Sequence, residues 1–224
     1  HLQRRGIEGE VVDGLMTPFR YRVRYQIAGQ PLVSIIIPIR DRVELLQRCL
    51  ESIEEKTTYR RFEIIIVDNQ SEEPETLAYL ARLPHTVVPM PGPFNYSQLN
   101  NVGAAHTRGE FLLFLNNDIE IISGEWLEAL LEHAQRKEVG AVGAKLLYPN
   151  RTIQHAGVVL GHGGVAGHAF WYLPEDCAGY FDFQQIIRNC SAVTAACMMM
   201  RKSVFVEVGG FDEKTKMFED KKFV

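Results

Sequence analysis

The stretch Phe111-Leu112-Leu113-Phe114-Leu115-Asn116-Asn117-Asp118-Ile119 decides the fold. Its unbroken apolar start describes a strand buried on both faces, and the oxygen-rich residues that follow stand where that strand emerges. In open α/β sheets, ligands lie in the crevice outside the carboxyl ends of the strands. Mg²⁺ or Mn²⁺ there takes one or two protein carboxylates together with substrate phosphates, which suits a nucleoside diphosphate. Asn and Asp also end strands simply by starting turns, so this stretch alone leaves both readings open.

Two further strand ends of the same kind lie upstream. Pro31-Leu32-Val33-Ser34-Ile35-Ile36-Ile37-Pro38 is followed by Ile39-Arg40-Asp41-Arg42, and Phe62-Glu63-Ile64-Ile65-Ile66-Val67 by Asp68-Asn69-Gln70-Ser71. Between them Val43, Leu46, Leu50 and Ile53 recur at spacings of three and four, which predicts a helix over Val43 to Lys56. The unit is β-α-β, and near-continuous apolar strands imply a sheet covered on both faces.

The chain has 224 residues, enough for one α/β domain that buries about 70 to 75 per cent of its unfolded surface. Lys plus Arg number 24 against 28 Asp plus Glu, so the global basic field that drives nucleic-acid binding is absent. Cys49, Cys177, Cys190 and Cys197 lack the paired short spacings of a zinc or redox motif, and free buried thiols in a reducing cytoplasm are expected. No segment approaches the roughly 18 apolar residues needed to cross a bilayer. Residues 192 to 200 come nearest and are expected to form a buried strand. Peripheral contact with a membrane through a lipid-linked acceptor stays open.

Leu2 to Gly6 reads as the last turn of a helix stopped by glycine, and Tyr21 to Ile27 alternates like an edge strand preceding the main sheet. We expect residues 1–30 to be an extension belonging to an upstream region. Residues 31–224 then form the main domain, truncated at its carboxyl end as an excerpt of a longer polypeptide.

On these residues the chain resembles a family 2 glycosyltransferase of the GT-A fold. The resemblance runs from about Pro31 to near Asp220. It rests on the order and intervals of Val33-Ser34-Ile35-Ile36-Ile37-Pro38, Val67-Asp68-Asn69-Gln70-Ser71, Asn101-Val102-Gly103-Ala104-Ala105 and Leu115-Asn116-Asn117-Asp118. Gly143 to Pro149 and Ile153 to Val158 resemble a bacterial branch that includes rhamnosyltransferase-like and O-antigen-type enzymes. The resemblance implies a three-layer α/β/α architecture with a mainly parallel central sheet. It also implies inverting transfer of a sugar from a nucleotide-diphosphate donor to a hydroxyl of a saccharide or lipid-linked acceptor, with Mg²⁺ or Mn²⁺.

Residue roles follow from the resemblance position by position. Pro38, Arg40, Asp41 and Asp68 are expected at the base and ribose, where carboxylates accept from hydroxyls and a guanidinium supplies planar donors. Asn101, Gly103 and Asn117 are expected along the nucleotide, and Asp118 with Asn116 at the metal. Asp220, in the acidic pair after Gly209-Gly210-Phe211-Asp212-Glu213, is the expected base. Thr194 and Ala195 fall near the transferred sugar, and His155 in a glycine-rich loop lining the acceptor cleft. His162 and His168 share that stretch and match no compact zinc motif, while Trp171 and Tyr172 are candidates to stack on a sugar face.

Plainer roles compete with several of these. Asp41 suits a cap for the helix starting at Val43, Asp68 an Asx turn, and Gly103 to Ala105 close packing of a helix on the sheet. Glu219-Asp220 suits a solvated charged tail. The sequence also departs from the family pattern, with Asn100 where many members carry arginine and Asn116 in place of a first aspartate. A catalytically idle nucleotide-sugar-binding module, or a sugar-phosphate nucleotidyltransferase, are the alternatives. The second usually carries a glycine-rich basic loop after its first strand, and none follows Ile37.

Overall fold

From Val33 to Ile39 every residue is buried, and the architecture follows from that run. A computed structural model of the chain describes residues 2–13, 21–161, 165–177 and 179–214. The chain divides into two compact units: Pro31–Glu125 with Met200–Val224, and His1–Gln30 with Trp126–Met199.

The chain opens with a 3-10 turn, Gln3–Arg5, ended by Gly6 at φ 62°, a left-handed conformation that glycine adopts without Cβ strain. The strands β1 (Gly9–Asp13) and β2 (Tyr21–Tyr25) pair antiparallel, with Gly9 opposite Tyr25. The alternation at Tyr21 to Ile27 therefore marks a strand of a separate hairpin and not an edge of the main sheet. Period-two alternation identifies a strand but not its partner.

The second unit holds the parallel strands β3 (Val33–Ile39), β4 (Phe62–Asp68), β5 (Thr86–Pro89) and β6 (Phe111–Leu115), which lie in the order β5-β4-β3-β6. All of β6 is buried, as is β4 from Ile64 onward, so these strands are covered on both faces. The helix α1 (Val43–Lys56) buries Val43, Leu46, Cys49, Leu50, Ser52 and Ile53, the face that its three-and-four spacing predicts. Next come α2 (Pro74–Leu80), with Pro74 in its first turn, and α3 (Tyr96–Ala105). Asn95 caps α3, its side chain accepting from the Gln98 amide at 3.0 Å.

The remainder of the first unit comprises α4 (Trp126–Ala134) and the short strands β7 (Val142–Gly143), β8 (Leu146–Leu147), β9 (Ile153–His155), β10 (Val158–Leu160) and β11 (Ala166–His168). There α4 meets the amino-terminal hairpin: Arg22 pairs with Glu132 at 3.2 Å, and the Arg136 guanidinium lies 4.5 Å from the centre of the Tyr25 ring. The strand β12 (Cys197–Arg201) pairs antiparallel with β7 through Met198 and Met199. The expected buried strand over residues 192 to 200 thus begins at Cys197. The last described helix, α5 (Lys202–Glu207), supplies Phe205, which with Phe211 packs around Phe114 at ring separations of 5.3 and 4.8 Å.

All four cysteines are free, but only Cys49 and Cys197 are buried, and Cys190 is exposed. The expectation of buried thiols is corrected for Cys177 and Cys190. Burial pushes the Cys197 thiol up to about 12.

Candidate functional site

Strand order locates a crevice in the parallel unit. The chain passes from β3 to β4 to β5 on one side, then places β6 on the other side of β3. The loops that leave the carboxyl ends of β3 and β6 consequently diverge, which is where open α/β sheets bind ligands. Arg40 and Asp41 leave β3, Asp68 ends β4, and Asn116 to Asp118 leave β6. In the parallel register Ile39 stands beside Asp68, and the Asn69 amide donates to the Ile39 carbonyl at 2.8 Å. Pro38 is buried in β3, whereas Arg40 is exposed at the mouth.

A short network joins the first two loops. The Asp41 amide donates to Ser71 Oγ at 2.8 Å, and that hydroxyl donates to Asp68 Oδ1 at 2.6 Å. Asp68 Oδ1 also accepts the Ser71 amide at 3.0 Å, so the side-chain-to-backbone turn at Asp68 is real. Asp68 Oδ2 carries no protein bond among the described residues. Asp41 does not cap α1, whose first turn has no side-chain cap. Its Oδ1 instead accepts the amides of Glu72 and Glu73 at 2.8 and 2.9 Å, just ahead of α2. Those amides hold the Asp41 carboxyl below its usual range, with the Arg40 charge a smaller contribution. Asp41 and Arg42 both take left-handed backbone conformations, φ 53° and 55°, which non-glycine residues adopt only when their surroundings impose them. Ser71 is thus a hub of the site; the Asp-x-x-Ser spacing was its available signal.

Beyond β6, Asn116 is half-buried, and its Oδ1 accepts the Tyr96 hydroxyl at 3.2 Å. Asn117 and Asp118 form a turn, with Asp118 exposed. One carboxylate and one amide oxygen are hard donors of the kind Mg²⁺ and Mn²⁺ accept, and such ions keep water and phosphate oxygens as their other ligands. Among the described residues no three His, Cys, Asp or Glu side chains converge on a metal position. The donor set therefore fits an ion that draws the rest of its coordination from a nucleotide.

The helix α3 ties the sheet to the segment after α5. Asn101 gives its Nδ2 protons to the Phe211 carbonyl and to Glu213 Oε1, both at 2.9 Å, while its Oδ1 accepts the Phe211 amide at 2.9 Å. Asn95 Nδ2 donates to the Glu213 carbonyl at 3.0 Å. The two side chains clamp the segment that leads toward Asp220. Gly103 faces the sheet, where a Cβ would overlap Ile36 and come within 2.9 Å of Val67 Cγ2, so its role here is close packing. Asn100 is fully buried and donates to the Tyr96 carbonyl at 2.8 Å. It offers no exposed cation at that position. Replacing Asn101 by Ala is expected to cost about 1 to 3 kcal/mol of stability through the lost bonds and to speed hydrogen exchange at the Phe211 amide. Denaturant unfolding and exchange measurements check this, and unchanged exchange at Phe211 would contradict the clamp.

The remaining candidates belong to the other unit. His155 ends β9 and His168 ends β11, so strands and not a loop carry both. His155 is 1 % exposed. Thr194 and Ala195 precede β12, with the Thr194 amide directed at His155 Nε2 at 3.4 Å. Tyr148, Tyr172 and Trp171 stack successively, with ring centres 5.1 and 4.6 Å apart. His162, Glu219 and Asp220 lie outside the described residues.

Comparison with known proteins adds identity to this geometry. A family model described as glycosyl transferase family 2 matches residues 34–209. The chain is 47% identical over 218 residues to the O-antigen biosynthesis protein RfbC of Myxococcus xanthus, covering 96% of this chain and 17% of that protein. It is 46% identical over 210 residues to the uncharacterized protein y4gI of Sinorhizobium fredii, covering 91% and 23%. It therefore spans about a fifth of the length of these relatives. Among solved structures it resembles the mannosyltransferase PcManGT from Pyrobaculum calidifontis in complex with GDP-Man and Mn²⁺, with TM-score 0.59 and 15% identity over 91% of this chain and 52% of that one. It also resembles S. aureus TarS, with TM-score 0.53 and 18% identity over 83% and 52%. Both likenesses are of fold.

Proposed function

Because the chain belongs to glycosyl transferase family 2 and has the GT-A fold, we propose that it moves a sugar from a nucleoside diphosphate donor to a hydroxyl of a saccharide or lipid-linked acceptor, with inversion. The observation that supports this reading is that Arg40, Asp68 and Asp118 stand at or just beyond the carboxyl ends of the neighbouring parallel strands β3, β4 and β6, where strand order reverses. The relative named for O-antigen biosynthesis supports a cell-surface polysaccharide or glycolipid precursor as acceptor. The family sets the nucleotidyltransferase reading aside. An idle binding module is the competitor that turnover separates.

Within this reading Asp68 Oδ2 accepts from the nucleoside, Arg40 donates to it, and the Ser71 hub holds both loops in register. Asp118, with the Asn116 oxygen nearby, would hold Mg²⁺ or Mn²⁺, which when bound neutralises charge on the diphosphate leaving group. Asp220 takes the acceptor hydroxyl proton as the acceptor oxygen bonds to the anomeric carbon. The bond from that carbon to the diphosphate oxygen breaks, and its electron pair leaves with the diphosphate. The fold neighbour holding GDP-Man and Mn²⁺ supports a nucleotide-sugar donor and a divalent ion.

The test is a screen of nucleotide sugars with saccharide acceptors, following release of nucleoside diphosphate. Acceptor-dependent release supports transfer, and tight donor binding without release supports the idle module. Asp68→Asn gives a sharper local check. The amide keeps an oxygen for Ser71 but loses the charge, so stability should hold while nucleoside affinity falls by about 1.5 to 3 kcal/mol in a calorimetric titration. A loss of stability with unchanged affinity would leave Asp68 a turn residue only.

A further inference from the structure

A second pair of side chains, wholly within the unit that contains Trp126–Met199, has a proton arrangement that its neighbours fix. His155 Nδ1 and His168 Nδ1 lie 2.8 Å apart, with their rings edge to face at 86°. At that distance one nitrogen donates and the other accepts, because two N–H groups would collide and two bare lone pairs would repel. His155 Nε2 accepts the Gly157 amide at 3.3 Å and the Thr194 amide at 3.4 Å, so it bears no proton. A neutral imidazole has a single N–H, which places the His155 proton on Nδ1, directed at His168. His168 Nδ1 is then the acceptor, and its own proton is on Nε2. Burial, with the His168 and Arg188 charges adding to it, lowers His155 to about 4, and burial lowers His168 as well, so both rings are neutral near pH 7.

His168, at the free end of this chain of protons, lines a cleft. Val158, Ala166, Gly167, His168 and Thr194 line a space of about 240 Å³. Thr194 Oγ1 accepts the Ala196 amide at 3.3 Å, which leaves its hydroxyl proton for another partner. Among the described residues the lining is small and apolar apart from these two groups and contains no charged side chain. Such a cleft favours a neutral, oxygen-bearing ligand over a phosphate or carboxylate, since no cation among the described lining residues would pair with an anion.

We propose that His168 Nε2–H and the Thr194 hydroxyl bind a hydroxyl oxygen of the saccharide acceptor, and that His155 is the positioning residue that holds His168 in the donating tautomer. The proposal rests on the glycosyl-transfer reading and names the substrate part that this second cleft takes. His155, itself buried, acts only through His168.

Nuclear magnetic resonance of the whole chain tests it without turnover. Long-range proton–nitrogen correlations should show His168 protonated at Nε2 and His155 at Nδ1, and His155→Ala should turn His168 into a mixture of tautomers. Methyl glycosides of common hexoses and deoxyhexoses, titrated at millimolar concentration, should shift His168 and Thr194 with at least one sugar. His168→Ala should weaken that binding roughly 2- to 13-fold, the value of one neutral hydrogen bond. His168→Gln, whose amide nitrogen reaches the Nε2 position, should restore most of it, whereas His168→Asn should not. The proposal is overturned by a proton on His168 Nδ1, by glycoside affinity, read at Thr194, that is unchanged in His168→Ala, or by no glycoside shifting these residues. Competition between the glycoside and a nucleotide sugar would overturn the acceptor assignment and give the cleft to the transferred sugar. Nucleoside diphosphate added to the same sample reads Asp68 and Asp118 separately, so failure of the nucleotide reading shows as silence there while the His168 result stands by itself.

Discussion

Asp220→Asn is expected to slow sugar transfer by about 10²- to 10⁴-fold while leaving donor affinity unchanged, the signature of a lost general base. The substitution keeps the shape of the side chain and removes its basicity. A base is needed only when the acceptor hydroxyl attacks, so the nucleotide site should not register the change. The segment that leads to this residue has a defined anchor, because Asn95 and Asn101 hold Phe211 and Glu213 against α3. Steady-state kinetics on the natural protein that carries this chain, with a parallel calorimetric titration of nucleoside diphosphate, separates the two quantities. Transfer at a near-normal rate would assign the base to another residue, and weakened donor binding would make Asp220 part of the nucleotide site.

The second large effect concerns Asp118. Nucleoside diphosphate should bind more tightly with Mn²⁺ or Mg²⁺ than with a chelator present, and Asp118→Ala should abolish that gain. Loss of an outer-shell partner already costs roughly 10- to 100-fold in metal affinity, and loss of the single carboxylate at this turn should cost at least as much. Asn116 cannot replace it, since an amide oxygen carries no net charge and this one already accepts from Tyr96. Asn116→Asp, which restores a second carboxylate, should strengthen metal-dependent binding. Equal affinity with and without metal in the unmutated protein would remove the assignment.

The elements that were legible in the sequence are those whose environment is uniform along their length. β6 and α1 have the boundaries that contiguous apolar residues and three-and-four spacing predict, β4 ends one residue beyond its apolar run, at Asp68, and β3 runs from Val33 to Ile39 where Pro31 to Pro38 is expected. Partnership was harder to read than existence. Tyr21 to Tyr25 is a strand, but its partner is Gly9 to Asp13, and no feature of the alternation carries that choice. His155 and His168 end strands of three residues, too short for any periodicity to show, and the glycines around them suggest a loop.

Side-chain roles diverged most where a bond closes over a long separation in sequence. Asp41 is a cap, as local spacing suggests, but for the approach to α2 and not for α1, because the two loops meet only in the folded chain. Asn101 contacts Phe211 and Glu213 across more than a hundred residues, and Tyr96 fixes Asn116. Ser71 and Tyr96 received no site role from the sequence because each acts through a neighbour that only tertiary structure supplies.

The central claim is that the crevice between the loops after β3 and β6 binds a nucleoside diphosphate. Crystals of the chain soaked with a nucleoside diphosphate and Mn²⁺ test it most directly. The nucleoside should lie against Arg40 and Asp68, with the diphosphate at Asp118. A nucleotide bound anywhere else, with Asp68 and Asp118 untouched at full ligand occupancy, would contradict the account.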